Sequence, residues 1–257
     1  MEMTGRVILI TGATSGIGRA TALHLGELGA RLVLGARSEA RGQALQSELR
    51  SMGCEALFVP VDVTQESSVQ ALVNRAVEHF GGLDGAFNSA GSYVREVPLH
   101  DQDASEWDAV ISVMLNGVRL SMKHEIRAML AQSGEQNRMI VNNASVVGLR
   151  GSVSSGAAYT AAKHGVIGLT RHAAQNYVGS GIRVNAICTA PSRTGSTQPY
   201  LPEDANLLKA SISKLNPTGE LVPLAEIAAT VAFLCSGVAG MINGETIALD
   251  GGQLARL

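Results

Sequence analysis

The chain has 257 residues and a formal net charge of −2 with no basic block, which argues against nucleic acid or an acidic membrane surface as a partner. Hydrophobic residues make up 46% and charged residues 16%, enough apolar surface for one large α/β domain with a substantial core. Cys54, Cys188 and Cys235 are odd in number, far apart and free of any CxxC or Cys/His grouping, so neither a disulfide framework nor a metal site is expected.

From the N-terminus, a strand over 6–11 (RVILIT) runs into a glycine turn and a helix over 16–29. The opening stretch lacks the length and cleavage site of a signal peptide, and no apolar run is long enough to span a bilayer, so a soluble cytoplasmic protein is expected. Strand and helix patterns then alternate: strands over 31–36, 56–61, 83–88, 138–145, 182–187 and 245–250, and helices over 38–52, 65–80, 104–131, 157–179 and 224–236. Each strand is a nearly continuous apolar run, as expected where both faces of a parallel sheet are covered. Seven strands alternating with helices imply right-handed crossovers and a doubly wound α/β sheet with helices on both faces. No polar or proline-rich linker divides 1–257, which reads as a single domain. A Pro-, Ser-, Thr- and Gly-rich stretch of about 189–215 reads as a long irregular loop, of the kind that serves as a lid.

Several of these elements carry chemistry. In TGATSGIG (Thr11 to Gly18), Gly12 permits a tight turn, Gly16 lets backbone approach a pyrophosphate, and Gly18 allows close helix packing. The helix that follows offers unpaired N–H groups and the positive end of its dipole to phosphates. VDV (61–63) ends the third strand, where Asp62 can accept from an adenine amino group. NSAG (88–91) ends the fourth, where small residues leave room for an adenosine. The fifth strand ends in NNAS, which puts Ser145 at the carboxyl edge of the sheet. Tyr159 and Lys163 follow in YTAAK, four residues apart and so on one helix face.

In TGATSGIG, DV, NSAG, Ser145, YTAAK, RVNAI and INGETIALDGG, in this order, the whole chain resembles the classical short-chain dehydrogenase/reductase family, whose fold is a Rossmann domain. The resemblance implies an oxidoreductase in which Tyr159 is the general acid/base, Lys163 favours the phenolate and binds the nicotinamide ribose, and Ser145 holds the substrate oxygen. Cofactor contacts are expected from Gly12, Thr14, Ser15, Gly16, Ile17 and Gly18 of the first turn. Further along they are expected from Arg37, Asp62, Val63, Asn88, Ala90 and Gly91, then Tyr159, Lys163 and Thr194. After the second strand stand Ala36 and Arg37, where NAD-dependent members usually carry an acid. NADP(H) is therefore favoured, with Arg37 as phosphate ligand, while NAD(H) stays possible with Arg37 beside the adenine. The expected substrate is a small to medium hydrophobic carbonyl or alcohol. Tyr200, Leu201, Leu207, Leu208 and Ile212 of the lid would contact it, with 92–98 and 147–156 adding to the pocket. A homo-oligomer, tetramer or dimer, is implied by the resemblance alone.

The chain departs from the family pattern in ways that bear on turnover. Met114 stands where the family has an asparagine that helps hold a water in a proton relay, and a thioether accepts only weakly. Asn116, two positions on and about 200° around an ideal helix, is expected to face elsewhere. Ser89 replaces a second asparagine, and Thr189-Ala190 replaces a Pro-Gly. These changes keep alternatives open: a non-redox enzyme on the same fold (elimination, isomerisation or cyclisation), or a cofactor-binding scaffold.

Overall fold

The computed structural model describes residues 3–91, 97–133, 137–151, 155–195 and 197–256. In chain order it contains β1 (Val7–Thr11), α1 (Gly16–Glu27), β2 (Arg31–Ala36), α2 (Glu39–Ser51), β3 (Ala56–Pro60), α3 (Glu66–Phe80) and β4 (Gly85–Asn88). Then come α4 (Ala104–Ile111), a π-helical turn (Ser112–Asn116), α5 (Gly117–Leu130), β5 (Arg138–Asn143) and α6 (Ala157–Tyr177). The last elements are β6 (Ile182–Thr189), α7 (Ala205–Leu215), α8 (Leu224–Cys235) and β7 (Thr246–Leu249). All seven strands are parallel, in the order β3-β2-β1-β4-β5-β6-β7. This is the doubly wound Rossmann arrangement that the alternation of patterns predicts.

Two cores sandwich the sheet, and β1 supplies both: Ile8 and Ile10 face the core formed with α1, α2 and α8, while Val7 and Leu9 face the one formed with α3, α5 and α6. Successive strand residues point to opposite faces, so a strand covered on both sides must be apolar throughout. Each such buried aliphatic side chain contributes roughly 1.5–3 kcal/mol relative to exposure. The rule fails at the sheet edges. Only Ala56 of β3 is fully buried and no residue of β7 is, because an edge strand has a neighbour on one side only.

Two expectations about helices need correction. The pattern over 104–131 is not one helix: α4 gives way at 112–116 to a π-turn, closed by the Gly117 N–H bonding the Ser112 carbonyl. An apolar period cannot register one extra residue in a turn when both halves stay helical. The stretch 189–215 is not irregular throughout either, since it holds α7. Asp204 caps that helix, accepting from the N–H groups of Asn206 and Leu207 at 2.9 Å each, and Ile212 is the residue it buries. The signal, an N-cap aspartate before apolar residues at helical spacing, was hidden by the stretch's turn-rich composition.

Candidate active site

The strand order reverses between β1 and β4, and in an open α/β sheet the crevice beyond the carboxyl ends at such a reversal is where ligands bind. Thr11 and Asn88, the last residues of the two strands, are partners in register. Thr11 Oγ1 then accepts from the N–H groups of Ser89 at 3.2 Å and Ala90 at 3.4 Å, locking the NSAG turn against the glycine turn. Glycine is required at this contact. At position 12, where φ is +69°, a Cβ would lie 2.8 Å from backbone atoms of Ser89 and Ala90. At position 18 a Cβ would lie 2.3 Å from the Gly12 carbonyl oxygen. Side chains there would push the helix off the turn. Ser15 precedes α1 without a side-chain cap, and the first turn carries no acidic residue, so the helix keeps its N–H groups and positive end unspent.

These elements open onto a cavity of about 870 Å³. Of the residues expected from sequence to meet a cofactor or substrate, Gly12, Ser15, Gly16, Ile17, Arg37, Ala90, Gly91, Ser145, Tyr159, Lys163 and Thr194 line it together. The 189–215 stretch closes one side through 189–192, Thr194, Gly195 and Thr197 and through Tyr200, Leu201, Leu208, Ile212 and Leu215. Val147, Ser155 and Gly156 add to another wall. Residues 92–96 and 152–154, also expected at the pocket, lie outside the described residues.

Five expected cofactor contacts do not line the cavity, and neither does Leu207 of α7, which is exposed. Asp62 turns back on its own loop, accepting from Thr64 N at 2.9 Å and Thr64 Oγ1 at 2.8 Å. Those bonds, with a smaller pull from Arg37, hold its carboxyl below the usual range. Val63 packs on Gly117, where a Cβ would come within 2.8 Å of it. The Asn88 side chain points into the core, donating to Glu125 Oε2 at 3.0 Å and Asn142 Oδ1 at 3.1 Å. Gly18 packs against the Gly12 carbonyl from the helix side, and Thr14 is half-buried in the turn.

At the floor of the cavity, Ser145 stands two residues beyond the end of β5, and Tyr159 and Lys163 stand on α6. The Ser145 hydroxyl hydrogen-bonds the Tyr159 oxygen and also accepts from Val147 N at 3.2 Å, which fixes its direction. Lys163 is 6% exposed; its Nζ lies 5.6 Å from the Tyr159 ring centroid and donates to the Asn143 carbonyl at 2.6 Å. Burial pushes this ammonium down to about 8, with the Cys188 thiol opposing slightly. The Tyr159 phenol is pushed up by burial, against the pull of the Ser145 hydrogen bond. Both groups are driven toward their neutral forms, so a charge brought into the cavity moves both strongly.

Met114 lines the cavity and is buried, and its Cε would sit 3.6 Å from a Cβ on Gly91. Asn116 is half-buried and does not line it. The π-turn at 112–116 thus presents the methionine to the cavity and not the asparagine, as the helical spacing predicts.

Three residues of the site were not singled out in the sequence. Asn143 holds Lys163, Cys188 receives the Ser145 N–H from β6, and Glu125 lies beneath the site. Glu125 is fully buried and pushed up to about 8 by desolvation, with its Oε1 lacking a partner among the described residues.

A turn at which Cβ atoms are excluded, an open helix N-terminus and a long cavity ending at a phenol fit a nicotinamide dinucleotide laid along the carboxyl edge of the sheet. Comparison with known proteins agrees. A family model described as enoyl-(acyl carrier protein) reductase matches residues 12–253. The chain is 42% identical over 250 residues to cis-4-hydroxycyclohexanecarboxylate dehydrogenase of Sinomonas cyclohexanicum, with 97% of each chain covered. It is 36% identical over 254 residues to 2,5-dichloro-2,5-cyclohexadiene-1,4-diol dehydrogenase of Sphingobium indicum, with 99% of each covered. The crystal structure of levodione reductase superposes with a TM-score of 0.92 at 38% identity, covering all of both chains. On this fold, this cavity and these likenesses, the chain belongs to the classical short-chain dehydrogenase/reductase family and is an oxidoreductase.

Proposed function

We propose that the protein transfers hydride between NADP(H) and the alcohol or carbonyl carbon of a neutral six-membered-ring substrate, with Tyr159 as acid/base. The observation that carries this reading is that Ser145, Tyr159 and Lys163 line one cavity with the glycine turn and the apolar lid. The glycine turn, the α1 N-terminus and Ala90-Gly91 would hold the dinucleotide, and Lys163 its nicotinamide ribose. The bound nicotinamide supplies or accepts the hydride. Ser145 donates to the substrate oxygen and Tyr159 gives it a proton in reduction or takes one in oxidation. A free phenol, with a pKa of about 10, is a poor base at neutral pH. Ser145 lowers that value directly, and the Lys163 ammonium lowers it further when a charged ligand makes that form the favoured one.

Two features favour a neutral ring. Arg37 and Lys163 are the only cations among the described lining residues, and both belong to the cofactor's end. The two dehydrogenase relatives are named for six-membered-ring alcohols, which supports the ring; one of those alcohols is a carboxylate, so neutrality rests on the lining alone. NADP(H) over NAD(H) rests on exposed Arg37 at the rim and on Ala36, not an acid, as the last residue of β2. Self-assembly into a dimer or tetramer is supported by the half-buried edge strand β7 and by Val238 and Met241 near it, 73% and 98% exposed.

The test is a titration of NADPH against NADH, followed by turnover of cyclohexanols and cyclohexanones with wild type and Tyr159→Phe. Tight NADPH binding and ring turnover that Tyr159→Phe abolishes is the expected result. Cofactor binding with turnover indifferent to Tyr159→Phe would overturn the acid/base assignment.

A further inference from the structure

Lys163 Nζ is buried, and an ammonium has three N–H groups to satisfy. The acceptor it reaches is a backbone carbonyl, that of Asn143 at 2.6 Å. Asn143 is the last residue of β5, in register with Ile187 of β6, so its peptide is held by the ladder on one side only. What steadies it on the other side is its own side chain. Asn143 Nδ2 donates to Ser89 Oγ at 3.1 Å, while Asn143 Oδ1 is buried with no partner among the described residues. Ser89 is itself pinned, its N–H donating to Thr11 O at 3.3 Å and Thr11 Oγ1 at 3.2 Å. A continuous line of hydrogen bonds thus runs from β1 through the β4 turn to the end of β5 and on to α6.

We propose that Asn143, braced by Ser89, is a positioning residue for Lys163: it fixes the carbonyl that holds the ammonium beside Tyr159, and so sets the pH at which the pair exchanges a proton. The proposal rests on reading Tyr159 and Lys163 as the acid/base pair. It joins two departures from the family pattern in one device. Met114 offers only a weakly accepting sulfur on the α4–α5 side of the cavity, so the lysine depends on the β5 side, where Ser89 supplies the acceptor for the Asn143 amide. Few titratable groups complicate the reading. Cys188 faces the pair from β6 as a thiol pushed up to about 11 by burial, and is neutral. Arg37 lines the same cavity from the end of β2, and Tyr200 from the lid. The β4 turn, β5 and the π-turn contribute Ser89, Asn143 and Met114, none of which titrates.

The experiment follows Lys163 in cofactor-free protein by competitive acylation across pH 6–10, read by peptide mass spectrometry. The proteins are wild type, Ser89→Ala, Asn143→Ala, the double variant and Ser89→Thr. Loosening the carbonyl disfavours the ammonium, so the Lys163 titration moves down by about half to one pH unit in both single variants. It moves no further in the double variant, and Ser89→Thr restores it. With cofactor and a ring alcohol, the rising limb of kcat against pH moves up by a similar amount. That is a three- to tenfold loss below the limb. An unmoved titration in variants that melt like wild type overturns the proposal, as do additive shifts in the double variant. If Asn143→Ala fails to fold, Ser89→Ala, which removes one oxygen, decides alone. The titration needs neither substrate nor cofactor. Turnover that survives Tyr159→Phe would sink the assigned function and leave this result readable.

Discussion

Replacing Glu125 by glutamine gives a test of how the core beneath the site is built. Glu125 is fully buried on α5; its Oε2 accepts from Asn88 Nδ2 at 3.0 Å and its Oε1 has no partner among the described residues. Desolvation raises its pKa from 4.5 to about 8, with the Asn88 hydrogen bond opposing. The sign follows from proton counts. Between these two values the native state keeps a proton that the unfolded chain has released, so stability is full below 4.5 and falls as pH rises toward 8. At about 1.4 kcal/mol per unit, the three and a half units amount to about 5 kcal/mol, of which about 3 is already lost at pH 7. That is a large share of the roughly 5–15 kcal/mol of a typical domain. Glutamine keeps an oxygen for Asn88 and cannot ionise. Urea unfolding of both proteins at intervals from pH 4 to 9 should show Glu125→Gln gaining on wild type by about 1 kcal/mol per unit above pH 5. The difference between the proteins cancels the other titrating groups, Lys163 included. A difference that stays constant over that range would refute the reasoning, and with it the claim that this carboxyl is neutral in the folded protein.

Tyr159→Phe should lower kcat about 10²- to 10⁴-fold while leaving cofactor affinity, read by fluorescence titration, within about twofold. Arg37→Glu should weaken NADPH binding by about 10- to 100-fold, the value of a charged hydrogen bond, and bring NADH level with it or ahead. In calorimetry the same variant should melt like wild type, because Arg37 is exposed. Gly12→Ala places a methyl 2.8 Å from the Ser89 and Ala90 backbone at a φ of +69°. It should lower stability by about 1–3 kcal/mol and abolish cofactor binding; unchanged binding would mean that the turn does not cradle the dinucleotide.

The sheet was legible because a doubly covered parallel strand has to be apolar on both sides, and β1 with its five buried residues is so throughout. The glycine turn was legible because steric exclusion leaves no other residue at positions 12 and 18. The loop bonds of Asp62 were not legible, since a carboxylate at a strand end gives no sign in sequence that it also accepts from its own loop, as Asp62 Oδ1 does from Thr64. Glu125 left a trace that went unread. It falls with Met122, Ile126 and Met129 on the buried face of α5, and a lone carboxyl at helical spacing among core residues marks a buried acid. The Asn143–Lys163 contact left none. It is made by a backbone carbonyl, for which the side-chain alphabet has no letter.

The π-turn at 112–116 separates two jobs that one straight helix would have to share. Ahead of it Val110, and within it Met114, pack on Ala158 and Ala162 of α6, beside Tyr159. Beyond it, Val118, Leu120, Met122, Ile126 and Met129 pack toward the sheet. The extra residue acts as a phase shifter, letting the wall of the cavity and the layer over the sheet keep separate rotational settings. Deleting one residue there would make the helix continuous and turn everything after it by about 100°. Glu125 would leave its place beneath Asn88, or Met114 would leave the cavity, but the two could not both stay.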